Sequence, residues 1–315
     1  MQDGGKISTI NSMKDFLLFS GTSNRPLGTL VAKQLGKKLS DIDITRFIDN
    51  ECRVWIKEPD IDDKHIFVIQ SLSQIADQNL VELCLIGQAL KTLKARHVTA
   101  VIPWLGYSKQ DKEFRKGEAV SAQLVAKFIE AAGFDQVITV ELHSENLIPF
   151  FHIPVLELST HELLTGCIRG DNGHVVVVSP DQGGMSRSDR FAKFANLPIV
   201  HLSKTRDLST GKVTVNGIDG DVKGKTVVIF DDIINTGATA IRSADFLKQE
   251  GAASIIFLAT HAALAGDAGE QLEKSPIDRV AVTDTIAIPK QKRFSKLTII
   301  SVATLLADAI KTIVR

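Results

Sequence analysis

The chain has 315 residues, 44% of them hydrophobic and 23% charged, enough to bury a full core and to build two domains. Lys plus Arg and Asp plus Glu both number 37, so no net field draws the chain to nucleic acid or to an anionic membrane, and any anion site must be local. Cys52, Cys84 and Cys167 form neither a metal-ligand pattern nor a disulfide framework, no apolar stretch reaches the roughly 18 residues of a membrane span, and the start lacks a signal peptide, so a cytoplasmic protein is expected.

Residues 1–13 are polar and read as a loose arm. From there, short β-rich runs alternate with helical patterns, the α/β signature: strands are expected at Phe16–Phe19, His65–Ile69, Val98–Ile102, Gln136–Val140, Val175–Ser179, Thr226–Phe230, Ser254–Ala259 and Arg279–Val282. Apolar residues near i, i+3, i+4 and i+7 predict helices over Gln78–Leu93 and over Ser121–Ala132, the latter ended by Gly133. The runs read as parallel strands covered on both faces, with a boundary at Leu156–His161 and no short internal repeat.

Along this frame, Phe47-Ile48-Asp49-Asn50-Glu51 offers an aromatic ring and two acids that can stack on and hydrogen-bond a purine, or Phe47 is a core residue. After Val98–Ile102 comes Pro103-Trp104-Leu105-Gly106-Tyr107-Ser108-Lys109-Gln110-Asp111 and then a charged stretch to Glu118; this is a nucleotide-gripping strand end with a lid, or a solvated loop. Gln136–Val140 ends in Glu141-Leu142-His143, which puts an imidazole at a sheet's carboxyl edge, where open α/β sheets bind ligands. His143 is a candidate metal or phosphate contact, although a lone histidine is as often structural.

Val175–Ser179 leads into Pro180-Asp181-Gln182-Gly183-Gly184-Met185-Ser186-Arg187. Adjacent glycines there allow a nest of N–H donors for a pyrophosphate, with Asp181 facing a magnesium ion; a plain turn would look similar. Lys204 and Arg206, two apart in an extended segment, share a face and can converge on a transferring phosphoryl group. Most informative is Val227-Val-Ile-Phe-Asp231-Asp232-Ile-Ile-Asn235-Thr236-Gly237-Ala238-Thr239. A buried strand delivers two carboxylates able to grip neighbouring ribose hydroxyls, and a Thr/Gly loop then turns N–H groups toward a phosphate at the start of a helix over Ala240–Glu250. A Walker-type loop would need Gly-Lys-Ser/Thr, absent from this segment.

Asp-Asp-x-x-x-Thr-Gly-x-Thr after an apolar strand resembles the loop that binds 5-phosphoribosyl 1-pyrophosphate (PRPP) in type I phosphoribosyltransferases and in PRPP synthetases. The ordered set Phe47-x-Asp49-x-Glu51, Tyr107-Ser108-Lys109-Gln110-Asp111, Leu142-His143, Ser179-Pro180-Asp181-x-Gly183-Gly184, Lys204-x-Arg206 and Asp231–Thr239 resembles the ribose-phosphate pyrophosphokinases, or PRPP synthetases, from about Phe16 onward. That resemblance implies two phosphoribosyltransferase-like α/β domains, each a mainly parallel sheet flanked by helices. Residues 1–157 would form an ATP-binding domain, 158–301 a ribose 5-phosphate/PRPP-binding domain, and the helical pattern Val302–Ile313 would bring 302–315 back onto the first domain.

The implied reaction transfers the β,γ-diphosphoryl group of MgATP to the 1-hydroxyl of ribose 5-phosphate, giving PRPP and AMP. Asp231, Asp232, Asn235, Thr236, Gly237, Ala238 and Thr239 would hold ribose 5-phosphate, and Asp181, Gly183 and Gly184 the pyrophosphate. His143 and Asp181 would ligate magnesium, and Lys204 and Arg206 would be catalytic. Lys109, Gln110 and His143 would contact ATP, and Phe47, Asp49 and Glu51 its adenine, from a neighbouring subunit of a homo-oligomer. Lys109 stands where an Arg is common, Glu141 for Asp and Asn235 for a frequent Asp, and the segments Phe114–Glu118 and Leu202–Arg206 look closer to archaeal members. A non-catalytic regulatory homologue and a phosphoribosyltransferase are the alternatives.

Overall fold

The structure is a computed structural model that describes residues 15–168, 174–180, 184–206 and 213–315, with the side chains of 204–206 and 213–216 outside the described set. The first half runs β1 (Phe16–Ser20), α1 (Arg25–Gln34), β2 (Ile42–Arg46), β3 (Cys52–Ile56), β4 (His65–Ile69), α2 (Ala76–Thr92), β5 (His97–Ile102), α3 (Ser121–Ala131), β6 (Gln136–Val140) and β7 (Val155–Leu158). The second runs α4 (His161–Thr165), β8 (Val175–Ser179), α5 (Met185–Ala195), β9 (Ile199–Arg206), β10 (Val213–Ile218), β11 (Thr226–Ile234), α6 (Ala238–Gln249), β12 (Ser254–Ala262), α7 (Ala268–Lys274), β13 (Arg279–Thr283), β14 (Leu297–Ile300) and α8 (Ala303–Val314).

Apolar runs such as VVVVS at β8 and HVTAVI at β5 are too short for helices and lack alternation, so they settle as central parallel strands buried on both faces. One sheet has the order β1-β4-β5-β6-β7, all parallel; the other has the order β10-β9-β8-β11-β12-β13-β14, parallel except for β10 at its edge. The series β8-β11-β12-β13-β14 repeats β1-β4-β5-β6-β7, each a run of parallel strands in chain order. This repeat of architecture has no counterpart in residue identity, which is why the sequence shows none. The halves differ in their hairpins: β9–β10 extends its sheet at β8, whereas β2–β3 forms a separate two-stranded ribbon packed on α2.

The final helix crosses over. Leu306, Ile310 and Val314 of α8 share one core with Leu27 and Val31 of α1 and with Phe16 and Leu18 of β1, so the helix that closes the chain covers the sheet that opens it. The reverse exchange occurs at α4, which follows β7 yet packs on α5; Leu164 joins Phe191 and Phe230, whose rings stack at 4.2 Å. Asn24 starts α1 by accepting from the Leu27 N–H at 3.4 Å, with Pro26 in the first turn. Its amide also donates to the Asp284 carbonyl at 2.7 Å, one of several bonds between the halves. Gln74 donates to the Ala287 carbonyl at 2.9 Å, the Thr160 and Thr260 hydroxyls lie 2.7 Å apart, and the Ser71 hydroxyl donates to the Thr285 carbonyl.

Leu306 is fully buried in the shared core. Leu306→Ala is expected to lower the unfolding free energy by about 2–5 kcal/mol in denaturant titration, and to raise amide exchange in β1 and α1 more than in β11.

Candidate functional site

The pairing of β11 with β12 continues past Phe230, with Asp231 opposite Ala259 and Ile233 opposite His261. Asp231 and Asp232 therefore sit inside a strand four residues longer than the apolar run predicts. Adjacent strand residues face opposite ways, and the two carboxylates differ accordingly: the Asp232 side chain is 2% exposed and that of Asp231 23%. Beyond Ile234, Asn235 and Thr236 turn outward and Gly237 takes φ of +74°, a left-handed conformation that opens α6, whose first N–H, that of Ala238, donates to the Thr236 hydroxyl at 3.4 Å.

Against this strand end stands the loop after β6. Glu141, at φ of +38°, makes the sharp turn that brings His143 round. The Glu141 carboxylate accepts from the Ser159 hydroxyl and the Thr160 N–H, both at 2.8 Å, and Glu157 accepts from the Leu142 N–H at 2.7 Å. Thus braced, His143 places Nδ1 2.7 Å from Oδ2 of Asp232. Arg187, on α5, completes the cluster: Nη1 donates to the His143 carbonyl at 2.8 Å, while Nη2 lies 3.1 Å from Oδ1 of Asp232 and 3.4 Å from Oδ1 of Asp231. Arg187 is thus turned to the carboxylates rather than standing beside the glycine loop as a free anion donor.

Electrostatics separate the two acids. Burial first, and then the neighbouring Asp232 charge, push Asp231 well above the usual carboxylate range. Burial also works to raise Asp232, but the His143 hydrogen bond and the Arg187 guanidinium outweigh it and hold Asp232 ionised far below that range.

Two adjoining clefts open here, of about 530 and 550 Å³. The first is lined by His143, Arg187, Asp231, Asp232 and the whole Asn235–Thr239 loop, the second by Leu72–Gln78, Trp104 and Gly106–Gln110. Lys109, Ile233 and Asn235 border both. Asp111, Lys112 and Phe114 edge the first cleft, so the charged stretch lies at the site rather than serving only as a solvated loop. Gln110 accepts from the Ser121 hydroxyl at 2.6 Å, tying that stretch to the start of α3.

Other predicted residues are not gathered here. Phe47, Asp49 and Glu51 form the tip of the β2–β3 hairpin, where Phe47 is 55% exposed and so is no core residue. The Glu51 N–H donates to Asp49 at 3.2 Å, closing the tip on itself. Glu51 borders a separate hollow, which reaches the second cleft only through Asp77 and Gln78. Lys204 and Arg206 lie on β9 opposite Val215 and Val213, their side chains outside the described residues, as are Asp181 and Gly183 altogether. Gly184 caps α5. Among the described residues no group of three or more His, Cys, Asp or Glu side chains is set to hold a metal ion. The hard-oxygen pair beside His143, with Oδ1 of Asp232 buried and lacking a well-directed hydrogen bond, nevertheless suits a cation that brings most of its ligands with it.

His261 was not legible as part of the site. It ends an apolar run, and only its titratable ring set it apart there.

Known proteins resemble this chain along most of its length. The family described as the N-terminal domain of ribose phosphate pyrophosphokinase matches residues 16–133, and the phosphoribosyl synthetase-associated domain matches 198–315. A ribose-phosphate pyrophosphokinase of Caldanaerobacter subterraneus subsp. tengcongensis is 39% identical over 304 residues, 95% of this chain and 94% of its own. Ribose-phosphate pyrophosphokinase 2 of Enterococcus faecalis is 39% identical over 94% of this chain and 92% of its own. The crystal structure of phosphoribosylpyrophosphate synthetase from Mycobacterium smegmatis superposes with a TM-score of 0.89 at 34% identity, covering 95% of this chain and 99% of that one.

Because Asp231 is raised in the folded state, the stability it contributes is present at low pH and is lost as pH climbs from the ordinary carboxylate range through its raised value. Asp231→Asn, neutral at every pH, is expected to melt higher than the unsubstituted protein without ligand, by a margin that widens from about pH 5 to about pH 8 in thermal scans.

Proposed function

The chain belongs to the ribose-phosphate pyrophosphokinase family, and from that membership we propose that it transfers the β,γ-diphosphoryl group of ATP to the 1-hydroxyl of ribose 5-phosphate. The observation that carries this proposal is the strand end at Asp231 and Asp232, followed by the Asn235–Thr239 loop and the start of α6, all lining one cleft with His143. Carboxylates suit vicinal hydroxyls, N–H groups at a helix start suit a phosphate, and their order along the strand matches that of a phosphorylated sugar.

In this assignment the ribose hydroxyls bond to Asp231 and Asp232, Asp231 offering the more accessible oxygens, and the 5-phosphate sits on Thr236, Gly237, Ala238 and Thr239 beside Asn235. ATP takes the neighbouring cleft, with Lys109 and Gln110 on its phosphates. Lys109 neutralises as a point charge, without the fork of the Arg common at that position. The 1-oxygen attacks the β-phosphorus, the bond from the α,β-bridging oxygen to that phosphorus breaks, AMP departs and the hydroxyl proton is lost. Lys204 and Arg206 neutralise the charge gathered on the phosphoryl oxygens, and Asp181, Gly183 and Gly184 receive the diphosphate.

His143 and Asp181 would hold a magnesium ion bound with ATP, which would supply charge neutralisation and alignment of the phosphoryl group. Residues 1–157 with 302–315 make up the ATP-binding domain and 158–301 the sugar-phosphate domain. Adenine packs on Phe47, Asp49 and Glu51 of a neighbouring copy, because that hairpin tip is exposed and stands apart from its own chain's clefts, so the working form is a homo-oligomer. We read the segments Phe114–Glu118 and Leu202–Arg206 as archaeal in type, and the setting as the cytoplasm.

Incubation with MgATP and ribose 5-phosphate is expected to yield AMP and PRPP in equal amounts, with neither formed when one substrate is omitted. Consumption of PRPP with a free base and no ATP would instead identify a phosphoribosyltransferase, and binding without turnover a regulatory homologue. Lys204→Ala should lower kcat by about 100-fold or more while leaving ribose 5-phosphate binding, read by calorimetry, within about threefold.

A further inference from the structure

His261, on β12, is wholly buried and far from charge on its own strand, yet its ring contacts Glu141 of the first half, Thr285 of the second and Trp104. Nε2 lies 2.9 Å from the Glu141 carbonyl, an atom that only accepts, so this nitrogen carries the proton. Nδ1 then accepts from the Thr285 hydroxyl at 2.9 Å. Burial depresses the ring's basicity. The indole of Trp104, which opens the segment leading to Lys109, packs on the ring at 4.4 Å between centroids. In the backbone, His261 stands opposite Ile233, the residue after Asp232.

These contacts close a loop through both halves of the molecule. From Asp232 the path crosses from Ile233 to His261, passes by hydrogen bond to the carbonyl of Glu141, and returns through Leu142 and His143 to Oδ2 of Asp232. The pinned residue is the one in the left-handed conformation, where a side chain other than glycine must be held by its surroundings. Its carboxylate is fixed at Ser159 and Thr160, so the carbonyl bond from His261 adds, alongside the His143–Asp232 contact, a tie from the turn to β12, the strand paired with the one bearing the two aspartates.

We propose that His261 is a positioning residue for the transfer reaction: through its Nε2–H bond to the Glu141 carbonyl it sets where His143 stands relative to Asp232, without touching either substrate. The proposal rests on the site assignment given under Proposed function.

The test uses three variants. Glutamine carries an amide N–H at the reach of Nε2, asparagine carries one at the reach of Nδ1, and phenylalanine keeps ring bulk with neither. In the full-length protein, His261→Phe and His261→Asn are expected to lower kcat by about 10–100-fold with the KM for ribose 5-phosphate within about twofold, and His261→Gln to recover most of the loss. A residue that merely filled space would give the opposite ranking, with phenylalanine best. Hydrogen exchange at the Leu142 amide supplies a readout independent of turnover: it should quicken in the Phe and Asn variants and stay slow in Gln. If the Phe variant fails to fold, the Gln and Asn pair decides. Equal kcat in Gln and Asn, or unchanged exchange at Leu142 in Asn, would overturn the proposal. An unsubstituted protein that makes no PRPP would sink the functional assignment, with the exchange ranking still reporting on the clamp itself.

Discussion

Two adjacent carboxylates at the end of a buried strand are a standing electrostatic cost, and the molecule is organised around meeting it. Desolvating both charges together is more than a strand end can bear, so one acid is raised and the other is compensated by groups from elsewhere. The compensation comes from two directions: an imidazole delivered by the first sheet and a guanidinium delivered by α5. The imidazole helps only if the two sheets are held in one relative position. The bonds from Asn24, Ser71 and Gln74 to the 284–287 segment, the Thr160–Thr260 contact and the exchanged helices all serve that single requirement.

The repeated architecture makes clear why there is one sugar-phosphate cradle and not two. In the first sheet the segment that follows β4 occupies the place that the aspartate pair holds within the extended β11, but it is filled by its own side chains. Gln70, fully buried, accepts from the Ser23 hydroxyl at 2.7 Å and donates to Glu82 at 2.8 Å, and Glu82 in turn receives the Thr22 N–H at 2.7 Å. Donors that would otherwise face a phosphate are spent inside the protein. The first half instead presents Lys109 and the turn at His143 to the space between the sheets.

Much of this was legible in the sequence because it is local. Central strands announced themselves as apolar runs, the helix over α6 was bounded by a Gly-rich start and Gly251, and Asp231–Thr239 carried its chemistry in consecutive residues. What escaped reading is non-local. The edge strand β14 and the β2–β3 ribbon have mixed, half-exposed patterns that periodicity does not resolve, and β9 and β10 form a hairpin at one end of their sheet. The extra length of β11 comes from pairing with β12, a tertiary cause. Arg187 carried no role in the sequence, and only the approach of His143 and Asp232 shows that its charge is committed to them. His261 gains its meaning from a carbonyl 120 residues away.

The crossing of α8 onto α1 also bears on how the chain is made. A ribosome releases β1, α1 and the rest of the first sheet long before the final twelve residues, so the face formed by Phe16, Leu18, Leu27 and Val31 stays uncovered through most of synthesis. During that interval the nascent first half is a half-covered sheet with an apolar stripe, a natural client for a chaperone and a natural point for two unfinished chains to associate. Cover for the face that β1 and α1 present is thereby deferred until α8 is made.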